Sequence, residues 1–449
     1  MKKVLFLTYY WPPSGKASLH LPLAMIKYLP TFGWQPAVLT VEDESFAQKD
    51  ESLIKEIDPA LKVIKTKTIE PFEFYKIFTG KGKDAQLVAS ETISKENKSL
   101  THRISLWIRM NLFIPDARIG WYPFAVKAGN RLLREEKFDA VVSVGPPHSV
   151  HLVAARIARN AHIPFYPIFI DPWLNIAYYK GQHRSRLTKM IDGRLERKIL
   201  QKSKNAIFVT ETSLADYIST YPFLQGKAHC LHWGYDEEKF ANFKRVEKTG
   251  DEGETGEIGE VQLKNEKGEG SIKNEVGKET PGKILLHSGN IFDFQNPVNL
   301  WGYLKRRIDS GENLQLWFTG TVSPGVRKSI ESAGLLPFTR FLGFLSYGEM
   351  LRTLAMADFL LVCAMEPRHF PGKLFEYLRT GIPILAYGDD NTEVAQVIAD
   401  ANAGMMLPFS ADGSQFFEIA DGFSTDLNKV TRFDRKVIAG KLADILNKG

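Results

Sequence analysis

Few features of secreted, membrane-spanning or nucleic-acid-binding proteins occur in this sequence of 449 residues. Its two cysteines, Cys230 and Cys363, lie far apart, which excludes a disulfide framework and predicts two reduced, buried thiols in a cytosolic protein. No run of about 18 apolar residues occurs, so we expect no transmembrane helix. The net charge is +6, without a block of basic residues, and nucleic acid is therefore not an expected partner.

The amino-terminal segment lacks the pattern of a signal peptide. Its apolar run, Val4 to Leu7, is short and soon meets two tyrosines, a tryptophan and two prolines, with no small-residue cleavage site after them. We therefore predict a buried first β-strand and a cytoplasmic location.

Residues 244–282 lack aromatic side chains and are rich in glycine and in charges of both signs. A segment of this composition cannot bury enough apolar surface to offset the entropy lost on ordering it. The composition predicts a flexible, charged linker, and its glycines match no phosphate-binding loop.

On both sides of this segment, thirteen short runs rich in Val, Ile and Phe alternate with helical patterns. Runs that are apolar throughout are typical of parallel strands covered on both faces. The alternation predicts an α/β protein with two doubly wound, Rossmann-like domains facing each other across a cleft. Residues 70–135 fit this scheme poorly and resemble an insertion with helices. The predicted segments are a first domain (1–243), the linker (244–282), a second domain (283–431) and a last helix, available to pack back on the first domain (432–449).

The first motif with chemical content is YWPPSGKAS at residues 10–18, after the first predicted strand. Ser14 and Gly15 precede a predicted helix, whose free N–H groups favour an anion or a sugar hydroxyl. Glycine also tolerates positive φ and a close ligand. Tyr10 and Ala17 exclude a P-loop, because they occupy the positions that need glycine and a hydroxyl residue. An ordinary strand-to-helix turn is the alternative.

Two further motifs end predicted strands with a polar side chain. In VGPPHS (144–149), His148 is able to act as an acid, a base or a hydroxyl-binding group. In FIDPW (169–173), Asp171 is able to accept a hydrogen bond or a proton from a sugar hydroxyl. The alternatives are a histidine that only packs and an aspartate that only caps a turn.

The most specific motif is EPRHFPGKLFEYLRTGIPILA at residues 366–386. Pro371 suits the first position of a helix, which puts Lys373 and Leu374 in the first turn. A cation there opposes the helix dipole, and this favours a bound anion such as a diphosphate. Glu376 lies on roughly the same face, where its carboxylate suits two neighbouring ribose hydroxyls. A solvated Lys–Glu pair is the alternative.

In combination, YWPPSG, GPP followed by DPW, and PGKLFEYL resemble the motifs of GT-B glycosyltransferases of the family 4-like group, which builds bacterial surface polysaccharides. The resemblance spans nearly the whole chain except the linker and parts of residues 70–115. It implies transfer of a sugar from a nucleotide-diphosphate-sugar co-substrate, held by the second domain, to a glycan or lipid-linked acceptor held by the first. By resemblance, Glu376 falls on the ribose-binding glutamate, Lys373 near the diphosphate and Gly15 beside the transferred sugar.

The motifs and the resemblance together give a predicted site. The predicted donor-binding residues are Gly15, Gly289, Asn290, Gly320, Glu366, Arg368, Lys373, Leu374 and Glu376. The predicted acceptor-binding residues are Ser14, Asp116, Arg118, His148, Asp171 and Trp173. The predicted catalytic residues are Asp171, His148 and Lys373.

The chain departs from the family pattern at the donor site. Arg368 stands where many members have a glutamate, eight positions before Glu376, and Glu366 is two residues out of register. Residues 290–296 lack the cations that many members place beside the diphosphate, so we expect Arg368 and Lys373 to replace them.

No Asp-x-Asp occurs, which fits a metal-independent mechanism without a resident cofactor. The resemblance implies a retaining hexosyltransferase. Together with the mild positive charge of the chain, the resemblance is compatible with peripheral contact with an anionic membrane. A sugar-nucleotide epimerase of the same fold and a non-catalytic partner subunit remain as alternatives.

Overall fold

A computed structural model describes residues 1–46, 49–69, 107–108, 110–174, 184–246 and 282–448. The chain forms two units, Met1–Trp233 together with Arg435–Gly449, and Gly234–Asp434. Each unit has one parallel β-sheet covered by helices, so the predicted α/β class with two doubly wound domains is confirmed. Most of the predicted linker and of the predicted insertion lies outside the described residues. Among the described helices, none has both the length and the apolar character needed to cross a membrane.

The strands of the first unit are β1 (Lys2–Thr8), β2 (Trp34–Val41), β3 (Lys62–Thr66), β4 (Ala140–Gly145), β5 (Phe165–Phe169), β6 (Ala206–Phe208) and β7 (Ala228–Cys230). Its helices are α1 (His20–Tyr28), α2 (Tyr122–Glu135), α3 (Ser149–Ala161), α4 (Arg186–Lys202), α5 (Glu211–Thr220) and, from the end of the chain, α13 (Arg435–Asn447).

The strands of the second unit are β8 (Lys283–His287), β9 (Leu314–Phe318), β10 (Thr339–Phe341), β11 (Phe359–Cys363), β12 (Ile384–Tyr387) and β13 (Gly404–Leu407). Its helices are α6 (Val298–Asp309), α7 (Pro324–Ser332), α8 (Tyr347–Ala355), α9 (Lys373–Thr380), α10 (Thr392–Asp400), α11 (Ser414–Ile419) and α12 (Leu427–Val430).

The first sheet has the order β3-β2-β1-β4-β5-β6-β7. Its apolar strands bury alternate side chains in two cores: Leu5 and Leu7 face the side of α2 and α3, whereas Val4 and Phe6 face the side of α1 and α13. The second sheet has the order β10-β9-β8-β11-β12-β13. The strand order reverses next to β1 in the first sheet and next to β8 in the second. The switch point, where open α/β sheets bind ligands, therefore lies between β1 and β4 in the first sheet and between β8 and β11 in the second.

Three differences from the sequence predictions concern helices. Helix α2 packs against α3, β2 and β3 as a crossover of the first sheet, although its residues were grouped with the insertion. The apolar run Ala206 to Glu211 predicts a strand, but β6 ends at Phe208, because Thr210 caps helix α5 by accepting a hydrogen bond from the Ser213 N–H at 3.0 Å. Helix α9 begins at Lys373 rather than at Pro371.

Candidate functional site

The second unit brings its predicted donor residues to the carboxyl edge of its sheet. Gly289 and Asn290 follow β8, Gly320 follows β9, and the loop before α9 follows β11. Because β8 and β11 are neighbours at the switch point, residues far apart in sequence meet there. The edge combines glycine-rich turns with the amino terminus of α9, which is a common way to bind phosphate.

Lys373 is the charged group at the centre of this edge. Its Nζ lies 3.2 Å from His287 Nε2, and a Cβ built on Gly289 would lie only 3.2 Å from the same Nζ. The ammonium group therefore sits against the backbone of the turn after β8. Among the described residues, Lys373 forms no ion pair, and His287 is its hydrogen-bond partner.

The electrostatics of this pair favour an anion. Burial lowers the pKa of Lys373 to about 8. Burial, and then the neighbouring Lys373 charge, hold the pKa of His287 well below its usual range. The imidazole is therefore neutral and accepts the hydrogen bond from the ammonium. A partly desolvated cation that has no carboxylate partner in the described part of the chain gains most from a bound anion.

Hydrogen bonds fix the two glycine turns around Lys373. Tyr377 Oη accepts a hydrogen bond from the Ser288 N–H at 2.7 Å, and Thr319 Oγ1 accepts one from the Gly289 N–H at 3.1 Å. Gly320 has φ +76°, and a Cβ there would lie 2.8 Å from the carbonyl carbon of Gly289. Only glycine fits this contact. Tyr377 and Thr319 were missed by the sequence reasoning, since both act on backbone atoms of distant residues.

The loop after β11 is held in place by Asn391, which was also missed. Its Nδ2 donates hydrogen bonds to the carbonyl oxygens of Glu366 at 2.8 Å and His369 at 2.9 Å. Arg368 and Glu366 are half-buried in this loop. These contacts give the loop a defined path past the site.

Helix α9 carries the remaining donor residues. Leu374 is fully buried, and Glu376 is 7% exposed. At the other end of the helix, Arg379 forms a bidentate pair with Glu237, with nitrogen–oxygen distances of 2.6 and 2.5 Å. This pair ties the end of α9 to the segment that opens the second unit.

In the first unit, His148 lies in an aromatic cluster after β4. Its ring stacks on Trp173 with centroids 5.0 Å apart and an interplanar angle of 7°, and His151 lies beside it. Burial lowers the pKa of His148 to about 3, so the imidazole is neutral near pH 7 and a weak base. Trp173 is 0% exposed and donates its Nε1–H to Asp192 at 2.8 Å. Trp173 therefore positions His148 and has no exposed surface for the predicted acceptor contact.

Asp171 follows β5 and is half-buried. Burial raises the pKa of its carboxyl group to about 6. Within the described part of the chain, no hydrogen bond or ion pair engages this carboxylate. It is thus a carboxylate whose pKa suits proton transfer near neutral pH.

Asp116 has a role that spacing did not reveal. Its carboxylate accepts hydrogen bonds from the Ser149 N–H at 2.8 Å, the Ser149 hydroxyl at 2.9 Å and the Arg118 N–H at 2.9 Å. It therefore caps the start of α3, whose first residue is Ser149. The Arg118 guanidinium lies over the Tyr9 ring, 5.3 Å from its centroid.

The loop after β1 contains Ser14, which is 1% exposed, and Gly15, which is half-buried. Gly15 is not among the glycines with positive φ, so the predicted positive φ at this position is wrong. A short 3-10 turn, Ala17–Leu19, then leads into α1.

Part of the second unit matches a known protein family. Residues 269–434, which lie in the second unit, match the family described as Glycosyl transferases group 1. No curated protein matches the chain by sequence.

Solved structures share the two-domain α/β fold of this chain. The Anabaena protein HepE in complex with UDP and glucose is 14% identical, with a TM-score of 0.59 and 100% of both chains covered. The sucrose-phosphate synthase of Thermosynechococcus elongatus is 11% identical, with a TM-score of 0.61, covering 100% of this chain and 99% of that chain. The UDP-GlcNAc 2-epimerase of Methanocaldococcus jannaschii is 12% identical, with a TM-score of 0.53 and 100% of both chains covered. The chain has the two-domain α/β fold of these proteins, known as GT-B.

Proposed function

We propose that this protein is a glycosyltransferase that moves a hexosyl group from a nucleotide-diphosphate-sugar to a glycan or lipid-linked acceptor. The observation that carries the proposal is Lys373, a partly desolvated cation held against the Gly289 turn by a neutral histidine. A diphosphate leaving group fits this position, because it would supply the negative charge that the described surroundings lack. The domain match and the UDP complex of HepE support the same donor class.

In the proposed donor complex, the diphosphate contacts Lys373 and the N–H groups at the start of α9. Glu376 holds the ribose hydroxyls, as the resemblance implies, and Arg368 replaces a cation that the turn after β8 lacks. Gly289, Asn290 and Gly320 line the phosphates, while Leu374 and Glu366 shape the pocket.

In the proposed reaction, the bond between the sugar and the diphosphate breaks, and Lys373 stabilises the negative charge that develops on the leaving oxygen. Asp171 is a better candidate than His148 for binding the acceptor hydroxyl or taking its proton, because its pKa is near 6 and that of His148 near 3. We propose a metal-independent reaction with a retaining outcome, in which the donor phosphate is able to take the acceptor proton.

The proposed acceptor site contains Ser14, Arg118 and Asp171, and Gly15 is proposed to contact the transferred sugar of the donor, as the resemblance implies. Asp116 supports it by capping α3, and Trp173 supports it by packing on His148. A membrane-peripheral, cytoplasmic enzyme of the family 4-like, surface-polysaccharide type fits these residues and the resemblance.

A basic groove in the first unit supports the peripheral location. The groove has a volume of about 380 Å³ and an apolar floor that includes Leu152, Leu195 and Ile199. Four exposed cations line it: Arg156, Arg159, Lys198 and Lys202. Among the described residues none of the four has an ion-pair partner, and burial together with the other three charges lowers the pKa of Lys202. An anionic lipid surface would relieve this repulsion.

The proposal is tested by incubating the full-length protein with a panel of nucleotide-diphosphate-sugars, with and without a lipid extract as acceptor. A glycosyltransferase releases the nucleotide diphosphate, stimulated by the extract, and incorporates labelled sugar into an acceptor. Conversion of one sugar nucleotide into its epimer, without an acceptor, would instead assign the epimerase alternative. If neither reaction occurs with any donor, the result would favour a non-catalytic partner subunit.

A further inference from the structure

A second chemical cluster lies at the carboxyl edge of the first sheet, where β6 and β7 end. Phe208 pairs with Cys230 across these parallel strands, and the Leu231 N–H donates a hydrogen bond to the Phe208 carbonyl at 2.8 Å. Leu231 is buried at 3% exposure. Cys230 Sγ lies 3.9 Å from both ring nitrogens of His232, so these two side chains share one side of the chain.

Glu211 completes the cluster from the neighbouring loop. It is the first residue of α5, and Thr210, two residues after the end of β6, caps this helix. One carboxylate oxygen of Glu211, Cys230 Sγ and one ring nitrogen of His232 all lie within 4.8 Å of one another. Among the described residues, no other group of three histidine, cysteine or acidic side chains meets this distance.

We propose that Glu211, Cys230 and His232 form a zinc site. Thiolate, imidazole and carboxylate are the ligands that Zn²⁺ takes in proteins, and bonds of about 2.0–2.3 Å place tetrahedral ligand atoms about 3.3–3.8 Å apart. The Cys230–His232 distance of 3.9 Å is close to this spacing. Small rotations of the exposed Glu211 side chain bring in the third ligand.

The three side chains are accessible enough for a metal ion to enter. They also leave a fourth coordination position of the ion unoccupied by protein. Glu211 is exposed, and Cys230 and His232 are half-buried rather than buried. The sequence prediction of two buried thiols is therefore wrong for Cys230. On binding, the Cys230 thiol loses its proton to solvent, and water occupies the fourth position.

Cys363 provides a matched control within the same chain. Like Cys230 it is a reduced cysteine, but it lies in the core of the second unit at 3% exposure. Burial raises the pKa of the Cys363 thiol to about 12, so it does not form a thiolate near neutral pH. Any thiolate–metal signal should therefore come from Cys230.

The test uses metal-free, full-length protein titrated with Co²⁺ and then with Zn²⁺. We expect one Co²⁺ per chain, a near-ultraviolet thiolate-to-cobalt charge-transfer band and visible bands of tetrahedral cobalt, all displaced by Zn²⁺. Cys230→Ser should abolish the charge-transfer band, and Cys363→Ala should retain it. Glu211→Gln should weaken binding more than about tenfold, since even outer-shell partners are worth that much.

Absence of the charge-transfer band in the wild-type protein, or its persistence in Cys230→Ser, would overturn the zinc site. If Cys230→Ser does not fold, His232→Ala serves instead, because it keeps the thiol. Unchanged Co²⁺ affinity in that variant would likewise overturn the proposal. No donor or acceptor enters this assay, so its result is independent of the proposed glycosyl transfer.

Discussion

At the residue scale, Lys373 and Asp171 define the proposed chemistry because burial moves each pKa toward neutrality. The cause is the same for both groups, but the consequences differ in sign. Burial disfavours the charged form, which lowers the pKa of the lysine and raises that of the aspartate. A buried lysine with a lowered pKa is strongly stabilised by a bound phosphate, and a buried aspartate with a raised pKa exchanges protons readily near neutral pH.

Replacing Lys373 by methionine keeps an unbranched side chain that is one atom shorter and removes the charge. We expect turnover to fall by about 10²–10³-fold, the usual loss on removing one group that stabilises transition-state charge. Stability should change little, because the lysine has no ion pair among the described residues. Nucleotide-diphosphate release and thermal unfolding measure the two effects.

Lys328→Ala is the control for Lys373→Met, because Lys328 is an exposed cation of helix α7 in the same unit. It should leave turnover unchanged. Equal turnover in Lys373→Met and wild-type protein would remove Lys373 from the mechanism.

The two pKa values predict a bell-shaped pH dependence of kcat/KM. Activity should rise through about pH 6, where Asp171 loses its proton. It should fall through about pH 8, where Lys373 loses its proton and its charge. His148 does not contribute a limb in this range, since its pKa is about 3.

Asp171→Asn tests the assignment of the acid limb, because asparagine has a similar shape and does not titrate. The acid limb should disappear and the alkaline limb should remain. An acid limb that persists in Asp171→Asn would assign it to another group.

At the element scale, the donor site is built from two glycine turns and one helix start, which packing holds together. Gly320→Ala should disrupt the turns, because a Cβ there would lie 2.8 Å from the Gly289 carbonyl carbon at a φ of +76°. We expect a higher KM for the donor, together with a loss of stability of about 1–3 kcal/mol from backbone strain. Steady-state kinetics and thermal unfolding measure these changes.

Gly311→Ala is the matched control for Gly320→Ala. Gly311 also has positive φ, +99°, but a Cβ there would meet nothing within 4 Å. This variant should lose stability through the same strain and keep the KM of the wild-type protein. If both variants change KM equally, the Gly320–Gly289 contact has no role in donor binding.

The elements themselves were largely predictable from the sequence, because β1, β4 and β11 each contain a run of buried apolar residues and are followed by turn residues. Helix α5 was missed, since Glu211 looked like the end of a strand and its cap, Thr210, was included in the same apolar run. Helix α2 was assigned to an insertion because the residues before it showed no clear period.

Contacts between distant residues were not predictable in the same way. Lys373 and His287 are 86 positions apart in the sequence. They meet because β8, which ends at His287, lies beside β11, whose following loop leads to Lys373. The Asp116–Ser149 cap joins residues 33 positions apart. The sequence pattern around each strand predicts that such residues lie at the edge of a sheet. Which of them come into contact depends on the order of the strands in that sheet.

At the scale of the whole molecule, the basic groove gives the proposed enzyme a surface for anionic lipid. Arg156→Ala combined with Lys198→Ala should weaken binding to anionic vesicles about thirtyfold, at about 1 kcal/mol for each cation. Binding to zwitterionic vesicles should be weak for all variants. Vesicle co-sedimentation at low and physiological salt measures the difference.

A second double variant, Lys328→Ala with Arg352→Ala, controls for total charge with two exposed cations of the second unit. It should retain vesicle binding. Equal losses in the two double variants would indicate a general charge effect and contradict a role for the groove.

The central claim, that the second unit binds a nucleotide diphosphate at Lys373, is tested most directly by thermal unfolding with a panel of nucleotide diphosphates and nucleosides. A ligand at 100 times its dissociation constant adds about 2.7 kcal/mol to the free energy of unfolding. We predict that one nucleotide diphosphate stabilises the wild-type protein, that its nucleoside does not, and that Lys373→Met loses the effect. No stabilisation by any nucleotide diphosphate, or equal stabilisation of Lys373→Met, would contradict the claim.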